Sequence, residues 1–135
     1  MNALDILFKT NRFNLSKVGE HFINPCCFGE DLAAWLRIKL VERGIAVAEA
    51  YQEDWGWELP AKLGNDSYYL CMSGNADELS ADKDEGEWRI IVEKRRSVGE
   101  RLRGAGKIGA EDKMVRMIEE LLEAEEGIRE VRRGE

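Results

Sequence analysis

The sequence has few of the residues on which catalysis and disulfide frameworks depend. It holds one histidine and three cysteines, two of them adjacent. An odd number of cysteines, with Cys26 and Cys27 side by side, argues against an ordered disulfide framework, so we expect free thiols.

No apolar run approaches the roughly 20 residues that a membrane-spanning helix needs. The first residues also lack a basic leader followed by an apolar segment, so we expect a cytoplasmic protein, of bacterial type by its composition.

The composition indicates one folded domain. The chain has 135 residues, of which 44% are hydrophobic and 35% are charged, which is too apolar for a disordered chain and sufficient for one core. We therefore predict a single domain over residues 1–135. The net charge of -7 disfavours binding to nucleic acid and to anionic membranes, because the long-range field repels phosphate.

Two segments have the pattern of amphipathic helices. The first begins at Pro25 or Gly29 and runs to Arg43, with apolar residues every three or four positions. The second covers 110–126, and Gly127 is typical of a helix end. We also interpret 2–9 as one or two helical turns, because Leu4, Leu7 and Phe8 have helical spacing.

Alternating apolar and polar residues predict strands in the remainder. We assign an irregular first strand to 13–23, further strands to 45–53, 57–63, 67–73 and 88–95, and a last short strand to 128–133. Pro60 cannot donate to a strand ladder, so it should lie at a sheet edge or a bulge. The predicted fold class is α+β: a two-layer sandwich with a mixed, mostly antiparallel sheet of about five strands and two amphipathic helices on one face.

The segment 53–58, Glu-Asp-Trp-Gly-Trp-Glu, is predicted to reverse the chain between two strands. We expect one tryptophan in the core and the other accessible at the rim of the sheet, surrounded by carboxylates. An accessible indole among charged groups is typical of a recognition surface, and we expect a protein partner there. Paired carboxylates for acid–base chemistry are the alternative, if the strands bring two of them into a cleft.

The segment 96–109 is rich in glycine and arginine, and we predict a mobile basic loop. Gly104–Gly109 matches the string GxGxxG and precedes a helix, where backbone amides can bind phosphate. Its context differs from that of a dinucleotide fold, since the preceding strand ends near Arg95 and acidic residues open the helix. Ile108 after Lys107 also fails the Walker pattern. A flexible loop is the favoured interpretation, with anion or nucleotide binding as the alternative.

Two further sites receive little support. His21 with Cys26 and Cys27 could form a thiol–imidazole pair at a helix start, but Glu30 and Asp31 follow closely and oppose an anionic sulfur. A zinc site that added Cys71 would use adjacent cysteines, which lack the usual two-to-four-residue spacer.

We therefore expect a small cytosolic binding or regulatory protein without catalytic residues, metal or cofactor. The expected partner is a protein, with a homodimer through an uncovered strand as a further option; membranes are excluded and nucleic acid is disfavoured. The alternative is a small enzyme or anion-binding protein, which acids and cations converging in one deep pocket would favour. The expected binding residues are Glu53, Asp54, Trp55, Trp57, Glu58, Arg95, Arg96, Arg101, Arg103 and Lys107.

Overall fold

The computed structural model describes residues 2–23 and 27–134 and has an α+β fold. In chain order the elements are β1 (Ala3–Thr10), α1 (Glu30–Glu42), β2 (Ala46–Val47), β3 (Tyr51–Glu53), β4 (Gly56–Leu63), β5 (Asp66–Ala76), β6 (Gly86–Lys94), α2 (Val98–Arg103), α3 (Lys113–Ala124) and β7 (Ile128–Arg133). None of the described helices is both long enough and apolar enough to cross a membrane.

The seven strands form one antiparallel sheet. The strand order is β2-β4-β5-β6-β1-β7, and β3 also pairs with β4 beyond the end of β2. The α+β prediction is confirmed, but the sheet has seven strands instead of about five, and all of its pairings are antiparallel.

The core lies between one face of the sheet and helices α1 and α3. Alternate residues of the central strands are buried on that face, including Leu70 and Met72 of β5 and Trp88, Ile90 and Val92 of β6. They join the buried faces of both helices in one cluster. The predicted arrangement of two helices on one face is therefore confirmed, and the opposite face of the sheet remains open.

The N-terminal segment differs from its prediction. Residues 3–10 form β1, which pairs with β6 on one side and β7 on the other, instead of one or two helical turns. The predicted strand over 13–23 is also wrong, because these residues form bends and turns. The predicted helix start at Asn24 and Pro25 lies outside the described residues, and α1 begins after Gly29.

The predicted strand over 45–53 is divided into β2 and β3. Both pair with β4, and between them the chain leaves the ladder opposite Pro60. The Pro60 carbonyl accepts a hydrogen bond from the Ala48 amide at 3.0 Å. Pro60 thus occupies the irregular position predicted for it, because a residue without an N–H is tolerated where the ladder is interrupted.

The segment 96–109 contains a helix that the sequence prediction missed. Ser97 caps α2: its hydroxyl accepts from the Glu100 amide at 3.1 Å, and the Glu100 carboxylate accepts from the Ser97 amide at 3.0 Å. This reciprocal pair is a capping box, which satisfies two otherwise unpaired amides. The prediction of a mobile loop is wrong for this part of the chain.

Candidate functional site: a basic pocket at one end of the sheet

A basic cavity of about 550 Å³ lies where β6 ends and the chain turns into α2. Lys94, Arg95 and Arg96 reach it from the end of β6, Arg101 from α2, and Lys107 from the loop that follows. Asn2 and one carboxylate, that of Glu93, complete the lining. Five cationic residues therefore surround one cavity in a chain whose net charge is -7.

Arg95 is held in place by Tyr69 on the neighbouring strand β5. Its Nη1 donates to the tyrosine hydroxyl at 2.8 Å, and its guanidinium carbon lies 5.1 Å from the centre of the ring. The planar guanidinium can combine a hydrogen bond with stacking on an aromatic face, which an ammonium group cannot do. Arg95 is thus an ordered cation although it is exposed.

Arg96 is fixed by backbone carbonyls. Its Nε donates to the Ala105 oxygen at 2.9 Å and its Nη2 donates to the Glu100 oxygen at 3.4 Å. Both acceptors belong to α2 or to the residues directly after it. The side chain therefore ties this segment to the end of β6 while its positive charge is left without a carboxylate among the described residues.

The loop carrying Lys107 is tied to the sheet by Asn2. The Asn2 Nδ2 donates to the carbonyls of Lys94 at 3.2 Å and Gly106 at 3.0 Å, while its Oδ1 accepts from the Ile108 amide at 2.9 Å. The two bonded loop residues flank Lys107. A single amide side chain thus positions this lysine beside the arginines.

The cations of the pocket differ in whether they form salt bridges with carboxylates. The Lys94 ammonium lies 3.7 Å from Asp66 and 3.8 Å from Asp112, so carboxylates already neutralise it. Arg95, Arg96, Arg101 and Lys107 form no salt bridge with any carboxylate in the described part of the chain. Some cations elsewhere are paired, as Arg133 is with Glu119 at 2.8 Å and Arg129 with Glu85 at 2.6 Å, and unpaired ones such as Lys83 do not line this pocket. The pocket therefore concentrates uncompensated positive charge.

The glycines of the segment 104–109 allow backbone conformations that other residues rarely adopt. Gly104 ends α2 in the left-handed conformation, and Gly106 has φ +73 and lies so close to Glu100 that a Cβ atom there would be 2.2 Å from its Oε2. Both positions favour glycine because side chains are disfavoured at positive φ, and at Gly106 a side chain would also require the Glu100 carboxylate to move. The string lies between two helices instead of directly after a strand, so its arrangement is not that of a dinucleotide fold.

The predicted bend exists, and its two tryptophans have different environments. β3 and β4 form a hairpin around Asp54 and Trp55, with Glu53 at the end of β3, and the Trp55 side chain is 44% exposed. Trp57 is buried, donates from Nε1 to the Cys27 carbonyl at 3.1 Å, and packs edge-on against Phe22. Trp57 therefore belongs to the core, as we expected for one of the pair, and is unsuited to the surface role we gave it.

Glu58 lies on the open face of the sheet beside Cys71. It accepts hydrogen bonds from the Tyr51 hydroxyl and, at 3.6 Å, from the Cys71 thiol. Burial raises the pKa of the Glu58 carboxyl, and the charge of Glu93 adds to this rise. Burial and the neighbouring Glu58 carboxylate raise the pKa of the Cys71 thiol to about 12, which makes it a poor nucleophile at neutral pH.

The geometry of the described residues does not support the predicted thiol–imidazole pair. The His21 Nε2 lies 2.6 Å from a Glu30 carboxylate oxygen, and Cys27 is disulfide-bonded. A disulfide sulfur is not a thiolate, so the free-thiol prediction is wrong for Cys27, while Cys71 is free and buried. Cys26 lies outside the described residues. No cluster of three metal-ligating side chains occurs within 2–23 and 27–134.

The predicted hairpin acids and the cations lie at different levels of the sheet. The register places Trp57 opposite Met72 in the middle of β5, whereas Lys94, where the basic pocket begins, lies opposite Tyr68 near its start. Glu53, Asp54 and Glu58 do not line the basic pocket, although Glu58 is near enough to Glu93 for the charge of Glu93 to raise its pKa. Arg103 lies on α2 but does not line the basic pocket.

No known protein family, curated protein or solved structure matches this chain. The site must therefore be interpreted from its own residues. Our sequence prediction included Arg95, Arg96, Arg101 and Lys107 but missed Asn2, Tyr69, Glu93 and Lys94. Asn2 carries no local signal because its partners lie 92 to 106 residues away.

Proposed function

We propose that this protein binds a small anionic ligand, of the phosphate or polycarboxylate class, in the basic pocket. The observation that carries the proposal is the group of four cations, Arg95, Arg96, Arg101 and Lys107, which face one cavity without a carboxylate partner among the described residues. Charge-assisted hydrogen bonds from arginine to phosphate or carboxylate are among the strongest that a protein makes, and two can form per guanidinium.

The concave shape of the pocket supports this proposal. A cleft of one sign of charge focuses the electrostatic field and attracts counter-ions even when the whole protein has the opposite sign. Two of the cations are already ordered before a ligand binds: Tyr69 holds Arg95, and backbone carbonyls hold Arg96. A ligand therefore gains their interactions without the full entropic cost of ordering them.

The electrostatics of the pocket cations also favour a binding role. Neighbouring cations repel one another, and the side chains of Arg101 and Lys107 form no hydrogen bond or salt bridge with a described residue, so these two contribute nothing to folding that would explain their position. Neutralising Arg101 or Lys107 should leave the free energy of unfolding unchanged or raise it slightly, while ligand affinity falls. A cation needed only for the fold would have the opposite effect.

Isothermal titration with inorganic pyrophosphate tests the proposal. Arg101→Gln and Lys107→Gln should each weaken binding about tenfold, which corresponds to about 1.4 kcal/mol. Lys83→Gln is the matched control, because Lys83 is an exposed lysine in the loop at the other end of the sheet and has no salt bridge with a described residue. Equal affinity in all four proteins, or no binding to the wild type, would contradict the proposal.

A second proposed function is protein binding through the hairpin tip. It is favoured by three exposed large residues: Trp55 at the tip, which is 44% exposed, Tyr51 at the start of β3, which is 40% exposed, and Ile23 beside Gln52 of β3, which is 76% exposed. Exposed aromatic residues of this kind are common anchors of protein interfaces. A photo-reactive residue at position 55 should then form a specific adduct with one protein in the native cell, whereas the same residue at position 83 should not. Identical adduct patterns at both positions would argue against this function.

A further inference from the structure

A second, larger cavity of about 810 Å³ adjoins the basic pocket. The two cavities share Arg95 and Arg96 in their linings, so they adjoin at these residues and are together called the groove. The basic end contains the unpaired cations, whereas the larger end is bounded by Val47, Pro60 and Tyr69 and by the polar residues Asn65 and Ser67. A ligand that fills the groove has an anionic part and a less polar part.

Arg95 stands at the junction of the two cavities with its orientation already set. Its guanidinium carbon lies 5.1 Å from the centre of the Tyr69 ring, and the hydrogen bond to the tyrosine hydroxyl restrains its orientation. Because Arg95 is exposed and lines both cavities, its guanidinium is accessible to a ligand. Planar aromatic groups, and nucleobases in particular, stack well on a guanidinium plane.

We infer that the anion is the phosphate part of a nucleoside phosphate, whose base stacks on the guanidinium of Arg95, which Tyr69 holds in place. This inference rests on the proposed anion-binding function and names its ligand class. The phosphates lie among Arg96, Arg101 and Lys107, and the nucleoside extends into the larger cavity. The volume of that cavity falls within the range of about 300 to 1,000 Å³ that small-molecule sites commonly have.

The larger cavity offers groups that can contact the edges of a base or the hydroxyls of a sugar. Asn65 provides both a donor and an acceptor, Ser67 a hydroxyl, and Glu100 a carboxylate. Glu93 is the one carboxylate of the basic pocket and could only accept hydrogen bonds there, so it suits a sugar hydroxyl better than a phosphate. The inference assigns the nucleoside phosphate class and leaves the base to the experiment.

The test is a comparative titration of pyrophosphate and the four common ribonucleoside diphosphates, without metal ions. At least one nucleoside diphosphate should bind about tenfold or more tightly than pyrophosphate, which corresponds to about 1.4 kcal/mol and is within the range for stacking of one base. If pyrophosphate binds and no nucleoside diphosphate binds more tightly, the inference fails while anion binding stands. If none of these ligands binds, both fail.

Arg95→Lys tests the position of the base. Lysine keeps the positive charge but lacks the planar group, so the advantage of the nucleoside diphosphate over pyrophosphate should fall to about twofold or less. The affinity for pyrophosphate itself should fall by a smaller factor than the affinity for the nucleoside diphosphate, because lysine keeps the charge that attracts the phosphates. Arg101→Gln is the control, since it should weaken both ligands by the same factor. An advantage that survives in Arg95→Lys would overturn the stacking on Arg95.

Discussion

Asn2 and Gly106 are joined by a hydrogen bond of 3.0 Å although 104 residues separate them. Through this bond and those to Lys94 and Ile108, the start of the chain connects the end of β6 to the loop that carries Lys107. The basic pocket thus depends on a contact between distant parts of the sequence. Its geometry should respond to changes in Asn2, which itself has no charge.

Asn2→Ala should therefore weaken both the fold and ligand binding. Three partly buried hydrogen bonds are lost, and we expect the free energy of unfolding to fall by about 1 to 2 kcal/mol. Pyrophosphate affinity should fall several-fold because Lys107 is no longer held. Urea unfolding and calorimetric titration measure the two effects.

Asn75→Ala is the control for this substitution, because Asn75 is exposed at the far end of β5 and its side chain forms no hydrogen bond with a described residue. It should change neither quantity. If Asn2→Ala behaves like Asn75→Ala, the proposed positioning of Lys107 by Asn2 is wrong.

Three glycine substitutions separate backbone strain from steric contact in the same loop. Gly106→Ala places a Cβ atom 2.2 Å from Glu100 Oε2 at a positive φ, so it should disturb the capping box and cost about 2 kcal/mol. Gly104→Ala meets nothing within 4 Å and should cost about 1 kcal/mol for its left-handed backbone alone. Gly109→Ala meets neither obstacle and should change stability by less than about 0.5 kcal/mol.

Urea unfolding of the three proteins gives this order directly. An equal loss for Gly106→Ala and Gly104→Ala would show that the close approach of Gly106 to Glu100 is unimportant.

Because of Cys71, we expect the free energy of unfolding to fall as the pH rises into the mildly alkaline range. The pKa of Cys71 rises from 9.0 to about 12 in the folded protein because of burial and the adjacent Glu58. The unfolded chain therefore loses the thiol proton first, so this contribution to stability is complete below pH 9 and is lost as the pH rises towards 12. Urea unfolding between pH 8 and 10 should show a decline that is smaller in Cys71→Val.

Glu58→Gln supplies the second arm of this experiment. It removes the carboxylate that helps to raise the Cys71 pKa, so its alkaline decline should lie between those of the wild type and Cys71→Val. Parallel declines in all three proteins would show that the thiol does not titrate in this way.

Local patterns in the sequence predicted the elements that pack through one face. Trp88, Ile90 and Val92 alternate with Arg89, Ile91 and Glu93, of which only Ile91 is apolar, and the first three are fully buried on β6. The stripe that includes Met114, Ile118 and Leu121 likewise predicted α3. When an element is buried on one side only, its apolar residues recur at a regular spacing, and this spacing can be detected in the sequence.

Other elements could not be predicted in this way. β1 has buried Ile6 and Phe8 on one face and half-buried Leu7 on the other, so its apolar residues also fit a helical spacing. α2 has no buried residue and therefore no apolar stripe. Its Ser97–Glu100 capping box was nevertheless present in the sequence and could have predicted its start.

The sequence predicted the cations of the site but not the contacts that bring them together. The arginines and Lys107 stand out as a basic segment, whereas Tyr69 enters through strand pairing and Asn2 through a long-range contact. The bend around Trp55 was predicted correctly as a strand reversal, but only long-range packing decides that Trp57 is the buried member of the pair.

Nuclear magnetic resonance mapping of pyrophosphate binding tests the central claim most directly. In ¹H–¹⁵N spectra of the labelled wild-type protein, the amides of residues 93–96, 101 and 107 should shift in a saturable manner during titration. The amides of 53–58 at the hairpin and of 77–85 in the acidic loop should remain in place. Shifts confined to the hairpin, or no shifts at millimolar pyrophosphate, would contradict the assignment of an anion-binding site to the basic pocket.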